Sequence, residues 1–195
     1  ILLIAKHSAC RSMSKFSKSN TLVVVALEDE LPGDLVDGWR IMYTGIGKVN
    51  AVIETSLAVE EKKPDIIINF GTAGSAKNDL IGLHEVTLLK QRDMDLSPLG
   101  FDKGVTPLDE IADIDLGRDG LSCGTGDNFV NGEQDVVTDL YDMEAYALAK
   151  FSLKKGIGFY CFKYVSDQAN ENAPQDWKNS VSLGAELFME NVLKK

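Results

Sequence analysis

Apolar positions along this chain fall into two periodicities. Short continuous runs, TLVVVAL at 21–27, DIIINF at 65–70 and GFYCFKYVS at 158–166, are rich in β-branched and aromatic residues and predict strands covered on both faces. WRIMYTG at 39–45, HEVTLLK at 84–90 and GLSCG at 120–124 are further strand candidates. KVNAVIETSLAVEEKK at 48–63 carries helical spacing, with Val49, Val52, Ile53 and Leu57 expected to face inward and Pro64 to stop the helix. TDLYDMEAYALAKFSLKK at 138–155 predicts a second helix and DWKNSVSLGAELFMENVLKK at 176–195 a closing one. Residues 101–118 read as a loop with a short helical turn. Strands alternating with helices predict an α/β fold containing parallel strands.

Composition narrows the function. A chain of 195 residues, 44% apolar, suits one core and one domain. Residues 1–20 are serine-rich and basic, with Lys6, Arg11, Lys15 and Lys18 and no acid, and are expected to be a leader or poorly defined N-terminal segment ahead of a domain over 21–195. The formal charge of −10 therefore concentrates in the domain, which disfavours nucleic acid and anionic membrane surfaces and leaves a small molecule as the expected ligand. Cys10, Cys123 and Cys161 are odd in number and lack C-x-x-C spacing, which argues against a disulfide framework or a structural zinc and for a reducing, cytoplasmic setting. No apolar run reaches the length of a membrane span.

In α/β sheets ligands gather beyond the carboxyl ends of strands, and four polar or glycine-rich segments fall there. Glu28, Asp29 and Glu30 follow the first strand, as either a solvated acidic run or a site. Gly45, Gly47 and Lys48 follow the second; GTAGS at 71–75, read as a strand-to-helix turn, follows the third; Asp167 follows the last, as a turn aspartate or a site residue. On a helix over 138–155, Leu140, Glu144, Leu148 and Phe151 share one apolar face. A carboxylate there needs a partner, a structural cation or a ligand hydroxyl. GTAGS is not a Walker loop and GIGKVN lacks the third glycine of a dinucleotide fingerprint, so no nucleotide cofactor is expected, and no cluster has metal-ligand spacing. His7 and His84 are the only histidines, and no G-x-S-x-G elbow occurs, which leaves acid–base work to carboxylates.

Six segments in order resemble the purine and uridine phosphorylase superfamily, and within it the methylthioadenosine/S-adenosylhomocysteine nucleosidases: ALEDE at 26–30, GIGKVNA at 45–51, NFGTAGS at 69–75, GTGDNFV at 124–130, DMEAYALA at 142–149 and VSDQA at 165–169. The resemblance implies a single three-layer α/β/α domain with a mixed central sheet and a homodimer. It implies hydrolysis of a purine nucleoside, with Glu30 activating water and Asp167, aided by Ser166, protonating N7. Met143 and Glu144 would hold the ribose, Thr72, Ala73 and Gly74 would flank ribose and water, and Phe129 and Val130 would hold the base. TPLDEIADIDLGRDG at 106–120 stands where the family has a longer segment, and Lys163-Tyr164 where it often has Arg-Ala. Two other readings of the same fold remain: a phosphorylase, for which PGD at 32–34 is a faint signal, and a non-catalytic nucleoside-binding protein.

Overall fold

A computed structural model describes residues 15–77 and 79–194. The expected leader lies largely outside the described residues, as do His7 and Cys10. Within 15–20, Phe16 is buried and packs edge-on against Tyr160 with ring centroids 4.9 Å apart, so the packed unit reaches back at least to Phe16.

The elements run β1 (Thr21–Val25), β2 (Arg40–Tyr43), α1 (Lys48–Lys62), β3 (Ile66–Ser75), β4 (Gly82–Gln91), β5 (Ile114–Asp115), β6 (Leu121–Thr125), β7 (Leu140–Asp142), α2 (Ala145–Lys155), β8 (Gly158–Asp167), α3 (Ala173–Ser180) and α4 (Gly184–Phe188), with a π-helical turn at Met189–Leu193. One mixed sheet holds all eight strands. β1 lies parallel between β2 and β3, and β3 runs parallel to β8 along most of its length. β8 pairs antiparallel with β4, β4 parallel with β6, β6 parallel with β7, and β7 returns antiparallel to β3 through Gly74 and Ser75. Those five strands close a ring, with β5 at its outer edge on β4.

Strand alternation divides the core in two. Leu22, Val24 and Ile67 face α1 and α2, packing with Ala51, Ala58, Ala145 and Leu148. Val23, Val25, Ile68 and Phe70 face the other way, where Phe188 of α4 stacks on Phe70 at 4.2 Å. The result is the expected three layers around a mixed sheet.

Five local expectations fail. The buried face of α1 is Ala51, Thr55 and Ala58, while Val49, Ile53 and Leu57 are exposed and Val52 half-buried. Small residues let α1 approach the sheet, and the large ones are left outside. The helix predicted over 138–155 begins only at Ala145, because 140–142 pairs as β7. GTAGS continues β3 rather than turning, with a bulge between Ala73 and Gly74. The closing helix breaks into α3, α4 and the π turn, and 101–118 contains β5 but no helical turn, the nearby one lying at Ser97–Leu99.

Gly184 marks the closest packing of α4 on the sheet, since a Cβ there would lie 2.5 Å from Cβ of Tyr164. Gly184→Ala should therefore destabilise the fold by about 1–3 kcal/mol through overpacking, read as a lower urea midpoint at unchanged slope.

Candidate active site

β3 and β8 end beside the turn after β1 and the start of α2, and a cavity of about 260 Å³ opens among them. Glu30, Thr72, Ala73, Gly74, Phe129, Val130, Met143, Glu144, Ser166 and Asp167 all line it, so the ten residues singled out in the sequence are brought together. His84 lies elsewhere, on β4, with Nε2 2.9 Å from the Ile81 carbonyl oxygen.

Of the acidic triplet, Glu28 and Asp29 are exposed and Glu30 is buried. The turn closed by Glu30 N–H to the Leu27 carbonyl, 3.1 Å, swings the third side chain inward. Its Oε1 accepts from Thr72 N–H and from the Thr72 hydroxyl, each at 2.7 Å, and its Oε2 accepts from Leu27 N–H at 3.2 Å. The Thr72 hydroxyl in turn accepts from the Trp177 indole N–H at 2.9 Å.

Glu144 is buried, but not on a helix face: it occupies the position before α2. Its Oε1 accepts from Gly47 N–H at 2.9 Å, a bond that needs the backbone of Gly47 at φ 98°, open to glycine. Two residues earlier, Asp142 forms an ion pair with Lys163, Oδ2 to Nζ 2.8 Å, with both side chains 1% exposed. Asp142 Oδ2 also accepts from Ala145 N–H at 2.8 Å and Glu144 N–H at 3.3 Å, and its Oδ1 from the Thr125 hydroxyl. Burial would raise the Asp142 carboxyl, but Lys163 and these donors outweigh it and hold it below the usual range. Glu144 forms no ion pair among the described residues, and the more distant charge of Lys163 only partly offsets its burial. Burial first, then the charge of Asp142, push it up to about 8.

Asp167 ends β8. Its Oδ2 accepts from the Ser166 hydroxyl at 2.8 Å and its Oδ1 from Ala169 N–H at 2.9 Å, so it is both a turn aspartate and part of the cavity wall. Burial raises its carboxyl despite those two donors. It leans on bare backbone: a Cβ on Gly74 would lie 2.7 Å from Oδ1.

Arg92, at the end of β4, also lines the cavity. Its Nη1 donates to Asn128 Oδ1 at 2.8 Å and Gln134 Oε1 at 3.1 Å, and its Nη2 to the carbonyls of Gly126 and Asn128. These bonds pin the segment that carries Phe129 and Val130.

A phosphorylase superfamily model matches residues 39–123. A methylthioadenosine/S-adenosylhomocysteine nucleosidase of Exiguobacterium sp. is 30% identical over 162 residues, covering 68% of this chain and 69% of the relative. The chain belongs to the methylthioadenosine/S-adenosylhomocysteine nucleosidase family of that superfamily. A relative of that name from Marinomonas sp. is 28% identical over 79% of this chain and 80% of its own length. Among solved structures, futalosine hydrolase of Helicobacter pylori superposes with a TM-score of 0.80 at 18% identity, covering 91% of this chain and 98% of that one. The adenine complex of a nucleosidase of this family from Colwellia psychrerythraea gives 0.76 at 20% identity, covering 92% and 96%.

Several cavity residues escaped the sequence reading. Trp177 falls within the predicted closing helix, Asp142 within the helix predicted over 138–155, and Arg92 within no motif. The one available signal was Lys163, a lone cation inside an otherwise apolar strand, which demands a buried anion. Its partner is Asp142.

The state of Glu144 predicts a pH dependence of stability. An unfolded glutamate ionises near 4.5, whereas folded Glu144 keeps its proton to about 8, so the folded state binds the extra proton across that window and loses stability as pH rises through it. Urea midpoints measured from pH 4.5 to 8 should fall more steeply for the unmutated chain than for Glu144→Gln. Parallel profiles would contradict this electrostatic account.

Proposed function

We propose that the chain hydrolyses the N-glycosidic bond of a purine nucleoside, 5′-methylthioadenosine or S-adenosylhomocysteine, and releases adenine. The observation that carries this reading is the set of three buried carboxylates around one cavity, each in a different electrical setting. Asp167, raised by burial, is suited to hold a proton and deliver it to purine N7. Glu30, held in place by three donors, is positioned to take a proton from water. Glu144, with a single backbone donor, has room for the ribose hydroxyls, whose bonds would favour its ionised form. Protonated purine leaves as the sugar passes through an oxocarbenium-like state, which the surrounding carboxylates stabilise, and water adds at the anomeric carbon. Ser166, Met143, Thr72, Ala73 and Gly74 line the acid and sugar side of this arrangement, and Phe129 and Val130 the base side.

Phosphorolysis is the second reading, and Arg92 is the observation behind it. It lines the cavity, its Nη hydrogens go to neutral oxygens of the 126–134 segment, and no carboxylate pairs with it among the described residues, so its charge stays available to an anion. The phosphate dependence of base release decides between water and phosphate.

A homodimer suits the same fold. The exposed Val49, Ile53 and Leu57 of α1 border an apolar groove lined by Val52, Tyr146 and Phe151, and the run begins beside Ile46 at the cavity. A second copy lying there would cover both. Ile53→Asp should convert a dimer in sedimentation to a monomer; a monomeric unmutated chain would rule the dimer out.

Adenine release from methylthioadenosine should proceed at the same rate with and without phosphate, and Asp167→Asn should slow it by about 10²–10⁴-fold. Release that requires phosphate makes the chain a phosphorylase. Tight binding with no release in the unmutated chain makes it a binding protein.

A further inference from the structure

We propose that Trp177 is a positioning residue: acting through the Thr72 hydroxyl, it locks the Glu30 carboxylate so that Oε2 is the oxygen that takes the proton from the attacking water. This deepens the hydrolase reading above and rests on it.

The polarity of the relay follows from donor chemistry alone. An indole N–H only donates, and a threonine hydroxyl has one hydrogen and two lone pairs. Trp177 Nε1 lies 2.9 Å from Thr72 Oγ1, and that oxygen lies 2.7 Å from Glu30 Oε1. Thr72 Oγ1 must therefore accept from Trp177, and its single hydrogen is directed to Glu30. Thr72 N–H adds a second donor to the same Oε1 at 2.7 Å.

A carboxylate offers about two acceptor sites per oxygen. Both sites of Oε1 are filled by Thr72. Among the described residues Oε2 receives only Leu27 N–H, at 3.2 Å, and keeps one site open. In the hydrolytic step the proton of water passes to Oε2, the water oxygen bonds to the anomeric carbon, the bond to the purine breaks with its electron pair on the base, and the base takes its proton from Asp167.

The indole comes from α3, whose last residue also reaches the acid's loop: the Ser180 hydroxyl lies 2.8 Å from the Ser166 carbonyl oxygen and 2.8 Å from the Asp176 carbonyl oxygen of its own helix, and shares its one hydrogen between them. One short helix therefore holds both ends of the proton path. Without the indole N–H, the Thr72 hydroxyl is free to rotate away and Glu30 loses its fixed orientation.

Trp177→Phe keeps an aromatic ring against the cavity and removes the donor. It should leave KM for methylthioadenosine within about two-fold and lower kcat about five-fold, the scale of one neutral hydrogen bond. Thr72→Val should lower kcat as well, and the double variant should be no slower than Thr72→Val alone, because both changes cut one relay. A readout independent of turnover is the indole N–H resonance of Trp177, distinguished from that of Trp39 by its loss in Trp177→Phe. In Thr72→Val it should move upfield. Unchanged kcat in Trp177→Phe, additive losses in the double variant, or an indole resonance unmoved by Thr72→Val overturns the relay. An unmutated chain that releases no base overturns the hydrolase reading instead, and the indole resonance then decides the relay alone.

Discussion

The ion pair between Lys163 and Asp142 is the contact on which the site's geometry rests. Burying two charges costs several kcal/mol each, and such a pair is seldom retained for stability alone. Here the carboxylate also gathers the Thr125 hydroxyl and the amides of Glu144 and Ala145, so one anion joins the ends of β6 and β7, the middle of β8 and the first turn of α2. The cation pairs with Asp142, and Glu144, buried beside that anion and helped by Lys163 only from a distance, holds its proton to about pH 8.

Much of the architecture was readable because buried strands are hard to disguise: the apolar runs of β1, β3 and β8 admit no other comfortable state. The errors arose where side-chain size mattered more than hydrophobicity. On α1 the larger apolar residues point outward because Ala51, Thr55 and Ala58 permit a closer approach to the sheet. Glu144 was expected to be buried, and it is, but periodicity supplied the wrong cause, since three residues that pair as β7 look helical when only spacing is counted. GTAGS looks like a turn by composition and is a strand because β8 pairs with it. The ten motif residues do converge on one cavity. The residues that support them, Asp142, Lys163, Arg92 and Trp177, could not be placed, because each acts through a partner remote in sequence.

Rigidity and variability are distributed accordingly. The ring of β3, β8, β4, β6 and β7 holds the acid side, while the wall that carries Phe129 and Val130 is an irregular segment tethered by Arg92. That segment is fastened by the Arg92 guanidinium and, at Asp127, by Lys48 and Asp93.

The ladder also acts as a ruler. Glu30 is anchored at Thr72 and Asp167 rests against Gly74, two residues apart on one strand, so their attachment points are separated by about 6.6 Å of strand rise. The bulge between Ala73 and Gly74 falls inside that interval: β8 spends Ser166 as an extra residue there, so Asp167 meets Gly74 one residue out of the regular register. Closing that bulge to a regular register would put Ser166 opposite Gly74 and carry Asp167 past the end of the ladder, so the spacing of the two carboxylates is set by a single irregularity in an otherwise regular pair of strands.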